Sequence, residues 1–175
     1  RENKMDRISS IELALKNEQS EMEYYLNNAR RSNNPVARKL FETLAADERE
    51  HMTRIKGLHQ KLLADGSWPD DLPIAVAGTN IKEALAAVSR IGEEAANHDA
   101  DDIAALKQGI EFEQGGSKFY GELAEACDNP QEARFFRFLS GIEREHLLSI
   151  QDSLFYLEDP EGWLESHERH HLDGA

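Results

Sequence analysis

Apolar residues recur at spacings of three and four along four stretches of the chain, and each stretch predicts a helix with one inward face. In the first, Ile11, Leu15, Glu18, Met22, Tyr25 and Ala29 form a single stripe, and the helix is predicted from about Ser10 to Arg31. Ser9 followed by Glu12 reads as a capping box at its start. The second helix is predicted from about Pro35 to Leu63, with Leu40, Leu44, Glu48, His51 and Ile55 facing inward and an end near Gly66. The third runs from about Asp102 to Ala126 and carries Leu106, Ile110, Glu113 and Tyr120. The fourth runs from about Pro130 to Leu157 and stops before Asp159-Pro160. Both Asn34-Pro35 and Asn129-Pro130 suit a helix start, since Asn caps well and the N–H that Pro lacks would be unpaired at the first position. Carboxylates and imidazoles inside apolar stripes are the anomaly, because such groups are costly to bury without partners.

The anomalous positions repeat. Glu18, Tyr25, Glu48 and His51 correspond to Glu113, Tyr120, Glu143 and His146, and the differences 113−18, 120−25, 143−48 and 146−51 all equal 95. The same offset pairs Ala29 with Ala124, Phe41 with Phe136, Leu44 with Leu139 and Ile55 with Ile150. It also pairs Glu48-Arg49-Glu50-His51 with Glu143-Arg144-Glu145-His146. Residues three apart share a helix face, so Glu-x-x-His points a carboxylate and an imidazole the same way. Two such pairs and two single Glu residues facing inward are the ligand set of a di-iron or di-manganese four-helix bundle. Two similar amphipathic hairpins without metal would account for the recurring Phe and Leu but not for recurring buried acids and imidazoles. Glu168 and His171 share the Glu-x-x-His spacing but lack an upstream Glu and an apolar stripe, and read as a chance match in a polar segment.

Between the hairpins, residues 65–100 form a long crossover. Asp65 to Thr79 is rich in turn formers, and Asn80 with Glu83 caps a predicted shorter helix through about Ala96. One long crossover between hairpins is the ferritin-like arrangement. The expected architecture is therefore all-α: a ferritin-like four-helix bundle of two repeated hairpins over residues 1–160, followed by a C-terminal tail, 161–175. Gly115-Gly116 interrupts the third helix and implies a close approach by a neighbour or a local distortion beside the site.

Composition narrows the function. The 175 residues suit one domain with one core. Mean hydropathy is −0.66 and no stretch approaches a membrane span, so no membrane partner is expected. The formal net charge of −14 disfavours nucleic acid, whose phosphates call for a basic footprint. Four ligand carboxylates balance two divalent cations, which would leave such a site near neutral. The single cysteine, Cys127, excludes a disulfide within the chain and a Cys-x-x-Cys knot, and fits a reducing, cytoplasmic setting.

The ligand residues resemble those of the rubrerythrin-like branch of the ferritin-like superfamily, over roughly residues 10–157 without the crossover. The resemblance implies a non-haem di-iron oxidoreductase that reduces hydrogen peroxide or oxygen, with two iron ions as cofactor and manganese or zinc as alternatives. Glu48 and Glu143 would bridge the metals, Glu18 and Glu113 would be terminal carboxylates, and His51 and His146 terminal imidazoles. Tyr25 and Tyr120 would hydrogen-bond ligand carboxylates, or else serve as core aromatics with satisfied hydroxyls. Two departures stand out. Rubrerythrins proper carry a rubredoxin domain with Cys-x-x-Cys pairs; this chain has none, so an electron-donor protein would act in trans. They also place a further Glu three residues after the third-helix ligand, where this chain has Gly116. The repeat-related position is Glu21, either an extra metal ligand or a residue pointing to solvent. A homodimer is expected. Iron binding with ferroxidation or storage, and a non-enzymatic metal-stabilised bundle, are the competing readings.

Overall fold

In a computed structural model, residues 4–66 and 100–172 are described, with side chains over 10–66 and 100–166. The predicted short helix of the crossover and the side chains of Glu168 and His171 lie outside them. The chain is all-α: α1 (Lys4–Arg31), α2 (Pro35–Asp65), α3 (Ala100–Ala126), α4 (Pro130–Glu158) and α5 (Pro160–Leu172). Helix α1 begins at Lys4, so Ser9 lies within it and does not cap it. The boundaries of α2 and α4 follow from their caps. Asn34 Oδ1 accepts from the backbone N–H of Val36 and Ala37, both at 2.9 Å. Asn129 Oδ1 accepts in the same way from Gln131 and Glu132. Gly66 ends α2 at φ 69°, a left-handed position open to glycine, and its N–H donates to the Leu62 carbonyl.

The helices form a ferritin-like bundle of two hairpins, α1 with α2 and α3 with α4. Tyr24 donates to the Ala105 carbonyl and Tyr120 to Glu18, so α1 and α3 run antiparallel. At one end Asp102, fully buried, accepts from Arg31 and from Ser32 Oγ and ties the first hairpin to the start of α3. Segment 160–172 is helical, and Trp163 packs edge-on against Tyr156 and donates its indole N–H to Asp152.

The core has two apolar halves, and the repeat relates them. One holds Tyr25, Ala29, Phe41, Leu44, Leu106 and Ile150. The other holds their counterparts Tyr120, Ala124, Phe136, Leu139, Ile11 and Ile55. Each half draws on both hairpins. Even ring packing recurs: Tyr25 stacks on Phe41 and Tyr120 on Phe136, each at 6.4 Å. The buried acids and imidazoles lie on the same inward stripes as these apolar residues, one or two turns along each helix.

Candidate metal centre

All six residues singled out as ligands are buried. Glu18, Glu48, Glu113 and Glu143 are fully shielded, and His51 and His146 retain at most 2% of their surface. One comes from each of α1 and α3, and a Glu-x-x-His pair from each of α2 and α4. They converge as two overlapping groups, Glu18, Glu48, His51 and Glu143 in one and Glu48, Glu113 and His146 in the other. Within each group the potential ligand atoms lie within 4.8 Å of one another. Glu48 belongs to both.

The geometry at Glu48 explains this. Its Oε2 lies 3.0 Å from His51 Nδ1 and its Oε1 lies 3.0 Å from His146 Nδ1. The two imidazoles stack at 5.3 Å with Nδ1 directed inward, and the carboxylate spans them. His51 Nδ1 also lies 3.1 Å from Glu18 Oε2, and His146 Nδ1 3.5 Å from Glu113 Oε2. Glu143 falls with the His51 group.

Each tyrosine reaches across to the other hairpin. Tyr25 donates its hydroxyl hydrogen to Glu113 Oε1, and Tyr120 donates to Glu18 Oε1. Both rings are buried, so each tyrosine is at once a core aromatic and a hydrogen-bond donor to a carboxylate of the cluster.

Concentrating acids away from water disturbs their ionisation. Burial above all pushes Glu18 up to about 7. Burial, then the charges of Glu18, Glu113 and Glu48, holds Glu143 well above the ordinary carboxylate range. Burial alone would raise Glu48 and lower both histidines, but the attraction between them prevails. Glu48 is held down by His146 and His51. His51 is pushed up to about 9 through Glu18 and Glu48, and His146 rises through Glu113 and Glu48. The half-buried Glu21 stands outside both ligand groups, and burial, then the charges of Glu48, Glu113 and Glu18, raises it well above its ordinary value.

The donor set fits a pair of cations. Both oxygens of Glu143 are buried without a hydrogen-bond partner, and Glu48 Oε1, Glu113 Oε2 and His146 Nδ1 face one another at 3.0–3.5 Å without forming a hydrogen bond. Such unsatisfied atoms are costly unless something electropositive completes them. Carboxylate oxygen with imidazole suits iron, manganese and zinc.

One feature escaped the sequence. Asp47 Oδ2 lies 3.5 Å from His146 Nε2, on the side of the ring away from the cluster. The signal was there, since Asp47 is adjacent to Glu48 and its repeat-related residue, at 47+95, is Ile142. The close approach expected at Gly115-Gly116 falls at Gly116: a Cβ there would lie 3.1 Å from Glu143 Oε2, so the missing side chain makes room for the Glu143 carboxylate. Gly115 has nothing within 4 Å of such an atom.

An all-α bundle with buried Glu and His groups from four helices has the form of a dimetal carboxylate protein. Residues 10–101 match the Rubrerythrin family, slightly over half of the 175-residue chain, and the chain belongs to that family. That match covers the first hairpin; the second is related to it by the internal repeat. Among curated proteins and among solved structures, nothing matches the chain.

Proposed function

We propose that the chain is a non-haem di-iron oxidoreductase that reduces hydrogen peroxide or oxygen. The observation that carries this is the convergence of four glutamates and two histidines, fully or almost fully buried, on unsatisfied oxygen and nitrogen atoms. When bound there, two iron ions would supply the two electrons that take a peroxide to two waters, with two protons drawn from the surroundings.

The protein's part is positioning and shielding. Glu48 would serve both ions, one oxygen beside each imidazole. Glu18 with His51 and Glu113 with His146 would complete the two positions, and Glu143, whose oxygens both lack a hydrogen-bond partner, would add a further carboxylate. Tyr25 and Tyr120 fix the rotamers of Glu113 and Glu18 by holding one oxygen of each. The apolar halves on either side keep bulk water out, which strengthens the electrostatic interactions inside. Glu21 would add a carboxylate, a role a metal-loaded crystal tests: an oxygen within about 2.0–2.2 Å of an ion supports it, and several ångströms from both rejects it. Among the described residues no helix is long and apolar enough to cross a membrane. A donor protein acting in trans, a homodimer and a cytoplasmic setting complete the proposal.

Rapid mixing of the anaerobic Fe(II) protein with hydrogen peroxide and with oxygen tests the activity. Oxidation within seconds, restored by a reductant through repeated cycles, is the expected result. An Fe(II) form inert to both oxidants would leave only a metal-stabilised bundle.

A further inference from the structure

The near two-fold symmetry of the cluster is broken behind His146. We propose that the cation position beside His146 and Glu113 is the tighter of the two and fills first, with Asp47 as its positioning residue. This rests on the two-cation reading above.

Both imidazoles present Nδ1 to the cluster. A cation on Nδ1 requires its lone pair, so the ring proton must sit on Nε2. For His146 that N–H faces the Asp47 carboxylate, whose Oδ2 is buried, lacks any hydrogen-bond partner and lies 3.5 Å away. A carboxylate behind a ligating imidazole fixes the tautomer, orients the ring and raises the basicity of the nitrogen on the metal. At 3.5 Å the contact is longer than a formed hydrogen bond, and a small ring rotation toward Asp47 would close it. The residue that corresponds for His51 is Ile142, whose side chain has no acceptor.

A second break, beside Glu143, does not choose between the positions. Glu21 feels Glu48 first, then Glu113 and Glu18, residues of both positions, and the space at its counterpart Gly116 is taken by Glu143. Glu143 groups with His51 but lies within reach of the Glu113 charge as well, so it does not favour one position alone. The proposed difference between the two positions therefore rests on Asp47 behind His146.

Titration of the metal-free full-length chain with Co(II), followed by calorimetry and visible absorption, tests this. Two binding steps at least about tenfold apart are expected. Asp47→Ala should weaken the tighter step about 10–100-fold, the usual effect of removing such a partner, and leave the weaker step within about twofold. Asp47→Asn, which keeps an acceptor, should restore part of the loss. Alanine suits a helix, and far-ultraviolet dichroism checks that the variant folds. Crystals grown with one equivalent of Co(II) should show the stronger anomalous peak beside His146 Nδ1. Two equal steps, a loss shared by both steps, no loss at all, or a stronger peak beside His51 would overturn the inference while leaving the two-cation reading intact. Failure of any Co(II) to bind would overturn both.

Discussion

Tyr25 donates to Glu113 across 88 positions of sequence, and Tyr120 returns the contact to Glu18 across 102. Neither hairpin completes its own half of the cluster, and the polar centre therefore reports on whether the two hairpins are docked. Replacing either tyrosine with phenylalanine leaves a buried carboxylate oxygen without its donor, a loss of about 1–3 kcal/mol. Tyr25→Phe and Tyr120→Phe should thus each lower the stability of the metal-free protein by that amount in urea unfolding. The double variant should lose roughly the sum if the two contacts act independently. A change below about 0.5 kcal/mol in both would show that the hydroxyls are satisfied elsewhere.

Glu48 differs from the other acids because it touches both imidazoles. Glu48→Ala should weaken both cation steps together, whereas Glu18→Ala and Glu113→Ala should each weaken chiefly one. Elemental analysis after dialysis would separate these cases: near two ions for the parent, near one for the terminal variants, near none for Glu48→Ala. Equal losses in all three would mean that Glu48 is not shared.

Much of this was legible in the chain before its structure. Period-three and period-four stripes gave α2 and α4 to within a few residues because Asn caps and Pro at the first turn mark their starts locally. The start of α1 was misplaced, since Ser9 and Glu12 imitate a cap that the helix runs through. The six clustered residues were legible because an exact repeat of acids on apolar stripes has few physical explanations. The exchange of Tyr25 and Tyr120 between hairpins was not, because i-to-i+3 spacing describes one helix and says nothing of which helix lies opposite. Asp47 was missed for a related reason. It sits off the inward stripe, and only the orientation of the His146 ring gives it a role.

Ionisation gives a prediction with a definite sign. Glu18 rises from 4.5 to about 7, so its stabilising contribution is complete below 4.5 and is lost as pH rises through 7. His51 rises from 6.5 to about 9, so its contribution is complete below 6.5 and is lost as pH rises through 9. Glu143 and His146 shift the same way. Glu48 is lowered and acts oppositely: its contribution is present above 4.5 and fades only in strong acid. Metal-free protein should therefore lose stability between about pH 5 and 9, with Tm falling about 2–4 °C for each kcal/mol lost. Cations that displace these protons should flatten the dependence, and their affinity should climb over the same range. Thermal melts at several pH values with and without Co(II) would check this. A metal-free Tm that rises from pH 6 to pH 9 would contradict the assignment.

The adjacent glycines of α3 should respond in opposite ways to the same substitution. At Gly115 a Cβ meets nothing within 4 Å, and alanine removes the flexibility that glycine brings to a helix. Gly115→Ala should stabilise the protein by up to about 1 kcal/mol without altering cation binding. At Gly116 the new Cβ would sit 3.1 Å from Glu143 Oε2 and 3.2 Å from Glu143 Cδ and Cγ, closer than ordinary contact allows. The helix gains the same propensity there, but Glu143 must retreat by a few tenths of an ångström and its oxygens leave their places in the cluster. Gly116→Ala should therefore leave Tm of the metal-free protein nearly unchanged and weaken Co(II) binding about tenfold, a displaced ligand costing about 1.4 kcal/mol. Unfolding curves and Co(II) titrations on both variants separate the two effects. Equal binding by the two would show that Glu143 has room to spare and is not held in place by the absent side chain.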